Sequence, residues 1–250
     1  MLAGVSVDYY IKMERGNLRG VSDSVLEALA RGLGLDEAER AHLLDLARAT
    51  GSRPRPRRRP AKQRVRPSAQ RILDAMTHAP ALIQDGQLNI LAANRLGLAL
   101  YSEMDLAPPE PANHALFVFL DPRAQGFFLD WERAADDTVA LLCAEAGRDP
   151  LDRDLSDLVG ALSTQSDEFR VRWAAHNVRA HQTGAKRFHH PVVGDLSLTF
   201  EMLELAADPG LHLLAFSAEP DSTSHDALAL LGSWAATADT GESRPATDRH

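Results

Sequence analysis

The chain has 250 residues, of which 44% are hydrophobic, and its 27 lysines and arginines against 35 aspartates and glutamates give a formal net charge of −8. That length and apolar content are enough for a sizeable core and favour two domains over one. The single cysteine excludes an intramolecular disulfide and no apolar run is long enough to span a membrane, so we expect a cytoplasmic protein without a membrane partner.

The first predicted element is the turn and second helix of a helix-turn-helix, in residues 2–16. Gly4 suits a turn residue with positive φ, and Ser6 is a good N-cap for the helix that follows. Tyr10 and Met13 lie three apart and are expected to face the core, which leaves the opposite side free to enter a DNA major groove. The alternative is an ordinary amphipathic helix. The predicted contacts to bases and phosphates are Ser6, Val7, Asp8, Ile11, Lys12, Asn17 and Arg19.

Two further short helices are predicted before residue 50. Residues 22–33 carry apolar side chains at helical spacing, and Gly34 is expected to end this helix. Asp36 is expected to cap the next helix, with Glu39 completing a capping-box pair. Residues 1–50 are therefore predicted to form a partial all-α domain.

A basic, proline-rich segment, residues 51–67, follows these helices. It contains eight cations and no acid between residues 53 and 66, and its prolines lack the amide donors that a helix needs. We expect an extended linker that is either a tether contacting DNA phosphates or a solvated spacer. The cations are Arg53, Arg55, Arg57, Arg58, Arg59, Lys62, Arg64 and Arg66.

The larger part of the chain, residues 68–235, is predicted to be an α+β domain. A helix at 68–77 is followed by a hairpin at 81–91 that turns at Asp85-Gly86, a strong hairpin signal. Three later strands and this hairpin predict one five-stranded antiparallel sheet with helices on one face. The other helices are predicted at 94–101, 113–120, 125–146, 151–163, 167–176 and 222–234, and the strands at 186–190, 195–204 and 211–218.

Short motifs in both halves of the chain carry a further signal. They are Ala3-Gly4-Val5-Ser6 and Glu14-Arg15-Gly16, and then Val65-Arg66-Pro67, Leu120-Asp121-Pro122, Asp130-Trp131, Glu168-Phe169-Arg170, Trp173-Ala174, His176-Asn177-Val178-Arg179 and Lys186-Arg187-Phe188-His189-His190-Pro191-Val192-Val193-Gly194. The first two resemble the recognition half of XRE-type, lambda-repressor-like regulators. The others, over nearly all of residues 65–220, resemble the MmyB-type ligand-binding domain of bacterial regulators.

This resemblance implies a PAS-like sheet with a pocket for fatty-acyl or similar apolar small molecules, in a protein that regulates transcription. Family members usually carry Trp where this chain has Ala93, and Asp where it has Asn177. An alanine beside the sheet is expected to enlarge the pocket and change the ligand. Family members also have about one further helix and most of a second before Leu2. The alternative function is therefore a ligand-binding module that has lost DNA binding.

Eight residues are candidates for ligand contact. The large aromatic residues either wall a pocket or form ordinary core, and a helix cap is the alternative role for Asn94. Arginine and imidazole groups either hold a polar ligand head or pair with surface acids. The candidates are Asn94, Phe117, Trp131, Trp173, His176, Arg179, Arg187 and His190.

No catalytic motif or metal site is visible in the sequence. There is no nucleophile elbow and no glycine loop suited to phosphates, and His189-His190 lacks further ligands at zinc spacing. Cys143, among apolar neighbours, is expected to be a buried small hydrophobe. We therefore expect no enzyme, no metal and no cofactor.

The predicted architecture is α+β: a truncated all-α helix-turn-helix domain (1–50), a basic linker (51–67), a PAS-like ligand-binding domain (68–235) and a disordered tail (236–250). We expect a bacterial transcription regulator that binds double-stranded operator DNA. A homodimer is expected because two linked half-site readers gain effective concentration. The second domain is expected to sense an apolar small molecule, such as a fatty acid, and to shift the balance between states that differ in DNA affinity.

Overall fold

The computed structural model describes residues 21–36, 39–40, 43–44, 46–47, 64–104, 106, 111–175 and 183–242. They belong to two compact units, Met1–Lys62 with Asp136–Ala180 and Gln63–Ala135 with His181–His250. Three predicted features lie outside the described residues: the recognition helix, the linker up to residue 63, and the last part of the tail, 243–250. Within the described ranges, no helix has the length and apolar character to cross a membrane.

The order of helices and strands confirms the predicted α+β class. The helices are α1 (Asp23–Leu33), α2 (Pro67–Ala75), α3 (Arg95–Leu100), α4 (His114–Leu120), α5 (Ala124–Phe127), α6 (Trp131–Arg148), α7 (Arg153–Gln165), α8 (Asp167–Ala175) and α9 (Thr223–Glu242). The strands are β1 (Ala81–Gln84), β2 (Ile90–Ala93), β3 (Thr183–His190), β4 (Gly194–Glu204) and β5 (His212–Ser217).

In the first unit, local cap signals define the helix ends. Gly34 ends α1 in the left-handed conformation, with φ of 68°, that a side chain would resist. The predicted capping box is present: Glu39 N donates to Asp36 Oδ1 and Asp36 N donates to Glu39 Oε2, both at 2.9 Å. Helix α7 begins two residues later than predicted, after a cap at Asp152, whose carboxylate accepts the amide of Leu155 at 3.1 Å.

The second unit contains one antiparallel sheet with the strand order β2-β1-β5-β4-β3. All four residues of β1 are buried, because the strand is covered on both faces. Leu82 joins the main core, whereas Ala81 and Ile83 pack with Leu73 of α2 on the opposite side. The prediction that helices cover one face is therefore wrong at β1, where α2 covers the other face.

The predicted hairpin between β1 and β2 is confirmed, but its turn is built differently from Asp85-Gly86. The carboxylate of Asp85 accepts hydrogen bonds from the amides of Gln87 and Asn89, at 3.0 and 2.9 Å. The left-handed residue is Leu88, with φ of 64° and a buried side chain. These bonds and this burial together hold a backbone conformation that leucine rarely adopts.

Two predicted helix boundaries are corrected. The segment predicted as one helix at 125–146 is interrupted between α5 and α6, because Phe128 is extended and forms a β-bridge with Phe188 of β3. Leu129 N also donates to Arg187 O at 3.1 Å. The last helix continues to Glu242, so the first part of the predicted tail is helical.

Helix α3 lies very close to β1. A Cβ atom on Gly97 would lie 2.4 Å from the carbonyl oxygen of Ala81, so a glycine is required at this position. The helix begins at the N-cap Asn94 and ends at Tyr101, as predicted. This close approach brings the Tyr101 ring over the inner face of the sheet, where it joins the main core.

Candidate functional site

An aromatic cluster lies between the sheet and the helices α3–α5 of the second unit. Its rings meet edge-on or tilted, with contacting centroids 4.9–6.2 Å apart. Such pairs contribute about 0.5–1.5 kcal/mol each beyond the burial of their area. The members of the aromatic cluster are Tyr101, His114, Phe117, Phe127, Phe128, Phe188 and Phe216, and all seven are buried.

Asn113 places the ring of His114 and the following turn of α4 in this cluster. Its Oδ1 accepts the amide hydrogen of Leu116 at 3.0 Å and so caps α4. Its Nδ2 donates to the carbonyl oxygen of Gln87 at 2.8 Å, in the hairpin turn. Helix α4 is therefore tied at its N-cap to the β1–β2 hairpin.

Tyr101 stands at the centre of the aromatic cluster. Its ring contacts those of His114, Phe127, Phe188 and Phe216, and the residue is 1% exposed. Among the side chains that the structure describes, the Tyr101 hydroxyl oxygen is fully buried and has no hydrogen-bond partner. Burial raises the pKa of this hydroxyl above its usual value, so it stays protonated.

His114 is the second polar ring of the cluster. It meets Tyr101 and Phe128 edge-on, with centroids 6.2 and 5.8 Å away. Burial, and secondarily the positive charge of Lys186, lowers the pKa of His114 well below its usual value. The imidazole is therefore neutral at physiological pH, and the centre of the aromatic cluster is polar but uncharged.

Asn94, a predicted ligand contact, is a helix cap whose side chain has four hydrogen bonds. Its Oδ1 accepts the amides of Ala81 and Gly97, at 3.0 and 2.7 Å. Its Nδ2 donates to the carbonyl oxygens of Met76 and Ala79, at 2.6 and 2.8 Å. These bonds fill the hydrogen-bonding capacity of the amide, so the geometry assigns Asn94 a structural role.

His190 also has structural partners. Its Nε2 donates to the carbonyl oxygen of Ala99 at 2.9 Å and lies 3.3 Å from the Ser102 hydroxyl, while its Nδ1 accepts the amide of Val192 at 3.2 Å. Burial lowers the pKa of His190, against the opposing effect of the Ala99 bond. A neutral imidazole bonded in this way links β3 to the end of α3.

The other described candidates lie in different places. Phe117 belongs to the aromatic cluster, and Trp131 packs at the edge of the same core, where its indole Nε1 donates to the carbonyl oxygen of Val118 at 3.0 Å. Trp173 lies in the first unit, stacked on Phe169 with centroids 5.6 Å apart. Arg187 is exposed and pairs with Asp130 at 3.2 Å.

The remaining candidates lie outside the described residues. They are the two proposed ligand contacts His176 and Arg179, and the DNA-facing residues Ser6, Val7, Asp8, Ile11, Lys12, Asn17 and Arg19.

Six members of the aromatic cluster were not among the eight predicted ligand contacts: Tyr101, His114, Phe127, Phe128, Phe188 and Phe216. Phe216 and Phe188 alternate with outward residues in their strands, which is a sequence signal for an inner face. Tyr101 and His114 come at a helix end and a helix start, where no local pattern indicates which core they enter. Their meeting depends on the packing of α3 and α4 on the sheet.

The described residues offer no cluster suited to a metal ion, since no three His, Cys, Asp or Glu side chains come together there. Cys143 is buried, and burial raises the pKa of its thiol to about 11. A thiol with such a pKa is almost entirely protonated at neutral pH and is a poor nucleophile.

Two families match the chain. Residues 65–231 match the family described as the MmyB-like transcription regulator ligand binding domain, and residues 1–43 match a helix-turn-helix domain. Both resemblances found in the sequence are thereby confirmed. No curated protein matches the chain. The first match includes every member of the aromatic cluster, from Tyr101 to Phe216.

Proposed function

Because the chain belongs to the MmyB-like transcription regulator family, and is therefore a DNA-binding regulator with a ligand-sensing domain, we propose that the ligand is an apolar small molecule of fatty-acyl type. The observation that carries this proposal is the aromatic cluster inside the matched ligand-binding domain. Buried, uncharged aromatic rings favour a ligand with an apolar, flexible hydrocarbon chain. A five-stranded antiparallel sheet with helices over the cluster supports the PAS-like architecture that the resemblance implies.

The operator contacts are proposed for the helix-turn-helix match at residues 1–43. In this proposal Val7 packs on a thymine methyl group, Asp8 accepts from a cytosine amino group and Lys12 donates to guanine. The flanking residues Ser6, Asn17 and Arg19 hold phosphates, and Ile11 lies on the groove-facing side. Residues of these types, placed on one side of a helix, suit a major groove.

The linker has a more restricted role than its composition suggests. Arg66 Nε donates to both carboxylate oxygens of Asp208, each at 2.8 Å, within the second unit. Asp208 is largely buried, whereas Arg66 is half-exposed. At least one of the eight linker cations is therefore engaged by the protein, and we propose that phosphate contact comes from the cations before Arg64.

The proposed regulation is a shift between two arrangements of a homodimer. Binding of the ligand changes operator affinity only by the ratio of its affinities for the two arrangements. In a homodimer, binding of one recognition helix to its half-site raises the effective concentration of the second helix at the other half-site. The operator affinity of the dimer therefore exceeds that of a single recognition helix.

DNA binding is tested by in vitro selection of the duplex sequences that the protein binds. The chain is incubated with a library of random 30-base-pair duplexes, and bound sequences are enriched and then measured by fluorescence anisotropy. We expect a palindromic motif, and a Lys12→Ala variant with weaker binding to it by roughly tenfold. Enrichment of no motif would contradict operator recognition by this chain.

Ligand identity is tested by native mass spectrometry of the protein purified from its host. We expect an added mass that corresponds to one acyl compound per chain, together with a dimer peak. The extracted compound, added back to ligand-free protein, should change operator affinity in the anisotropy assay. A spectrum of unliganded protein that also fails to bind any acyl probe would contradict the proposal.

A further inference from the structure

The Tyr101 hydroxyl is the feature that packing does not explain. It is fully buried and unpartnered, at the centre of rings that are otherwise phenylalanine or neutral imidazole. A buried polar group without a partner costs about 1–3 kcal/mol of folding free energy. A phenylalanine at this position would fill the same space without that cost, so the hydroxyl itself points to a partner supplied from outside the chain.

We propose that the Tyr101 hydroxyl donates a hydrogen bond to a neutral carbonyl oxygen of an apolar ligand held against the aromatic cluster. This inference rests on the proposed function, in which the second unit senses an apolar small molecule, and it adds the chemical group by which the ligand is recognised.

The surroundings of Tyr101 favour an uncharged acceptor. The four rings that contact it carry no charge, and its own hydroxyl stays protonated, so it is available as a donor. Burying a carboxylate there would cost several kcal/mol of desolvation, and none of the four contacting rings carries a charge to offset it. Lys186, whose charge also acts on His114, lies over the ring of Phe200, with Nζ 5.3 Å from its centroid, and Phe200 contacts Phe216 of the cluster. An anionic ligand would be attracted to Lys186 rather than to Tyr101.

Access to the hydroxyl requires that the cluster opens. With 1% of Tyr101 exposed, a ligand atom reaches its oxygen only when side chains packed around it move aside. Binding is thus coupled to a rearrangement of the aromatic cluster, and a ligand that favours the rearranged state shifts the protein toward it.

The test compares three probes that share an eight-carbon chain: methyl octanoate, octanoate and n-octane. Their affinities are measured by isothermal titration for the full chain and for a Tyr101→Phe variant. We expect the wild type to prefer methyl octanoate to n-octane, and Y101F to bind methyl octanoate about threefold to tenfold more weakly. Y101F should bind n-octane with the same affinity as the wild type. A Tyr10→Phe variant, which loses a tyrosine hydroxyl outside the second unit, is the matched control and should bind all three probes as the wild type does.

Two readouts separate a ligand contact from a structural role. Without ligand, Y101F should melt at the same temperature as the wild type or higher, because it loses an unpartnered hydroxyl. The chain has three tyrosines, Tyr9, Tyr10 and Tyr101. With ¹³Cζ-labelled tyrosine, the signal absent from Y101F is therefore that of Tyr101, and it should be the one that shifts when methyl octanoate is added.

Equal affinity of wild type and Y101F for methyl octanoate would overturn the inference, as would equal affinity of the wild type for methyl octanoate and n-octane. A lower melting temperature of unliganded Y101F would show a structural role for the hydroxyl and would also overturn it. If no probe binds, the inference fails for carbonyl compounds. The proposed function fails with it only if the protein purified from its host carries no ligand of any class.

Discussion

Asn94 shows how one side chain holds several segments of the second unit together. Its amide bonds to the backbone after α2, to the first residue of β1 and to the first turn of α3. The sequence predicted the helix cap, because asparagine before a helix is a local signal. It did not predict the two bonds to carbonyl oxygens, since these depend on how α2 packs behind β1.

An Asn94→Asp variant should lose about 3–5 kcal/mol of unfolding free energy, measured by urea denaturation. The carboxylate has no hydrogens for the Met76 and Ala79 carbonyl oxygens and would place a negative charge beside them. Gln125→Glu makes the same chemical change at an exposed position of the same unit and should alter stability by less than about 0.5 kcal/mol. Similar losses in the two variants would show that Asn94 has no special role.

Two buried histidines predict how stability depends on pH. Both His114 and His190 have lowered pKa values in the folded protein, so below a pH of about 6.5 the unfolded state binds more protons than the folded state. The unfolding free energy should therefore fall as the pH decreases from 7 to 5, by at most about 1.4 kcal/mol per pH unit for each histidine.

The contribution of one of these histidines is isolated by substitution. A His114→Phe variant keeps an aromatic ring in the cluster and should show a smaller loss of stability between pH 7 and pH 5. The exposed His78, changed to Gln, is the control and should leave this pH dependence as it is in the wild type. An unchanged pH dependence in H114F would contradict a neutral, buried His114.

At the scale of elements, the sequence predicted what is decided locally. Cap residues and turn residues act over three or four positions, so α1, α3 and the β1–β2 hairpin were predicted correctly. The interruption at Phe128 was missed because it depends on a bridge to Phe188, far along the chain. The helical spacing of apolar residues continues through residues 125–146. The break between the two helices is set by the pairing with β3, which this spacing does not reveal.

The packing of α3 on β1 gives a prediction at this scale. Gly97→Ala would place a Cβ atom 2.4 Å from the Ala81 carbonyl oxygen, so the helix must move away from the strand. We expect a loss of about 2–4 kcal/mol in urea denaturation. Gly126 in α5 has open space around it, and Gly126→Ala should change stability by less than about 1 kcal/mol. Tolerance of alanine at residue 97 would contradict the close packing of α3.

At the scale of the whole molecule, the sequence predicted the α+β class and the five-stranded sheet, and it identified the family from spaced motifs. It assigned residues 136–180 to the second domain; the family match at residues 65–231 includes them, while the division into compact units groups them with residues 1–62. Helical spacing in this segment shows which side of a helix is apolar, but it carries no information on which part of the chain covers that side. The proposed domain boundaries stay a prediction.

The linker gives a prediction for DNA affinity. Replacing Arg53, Arg55, Arg57, Arg58, Arg59 and Lys62 by serine should make the slope of log affinity against log salt less steep by several units, with an upper bound of about five. Arg66→Gln, which removes a cation already paired with Asp208, should leave the slope nearly unchanged. Anisotropy titrations on the selected duplex at a series of salt concentrations measure both. An unchanged slope in the serine variant would show that the linker is only a spacer.

The enclosure of β1, with a neighbouring strand on each edge and side chains packed against both faces, has a consequence for local opening. Water reaches the amides of Ala81–Gln84 only when the sheet and α2 separate together. In deuterated solvent these amides should therefore keep their protons longest, with protection approaching that of global unfolding. Strand β3 lies at the edge of the sheet, where its outer side is bonded only near Phe188, and its outward residues are exposed, so its amides should exchange through smaller fluctuations.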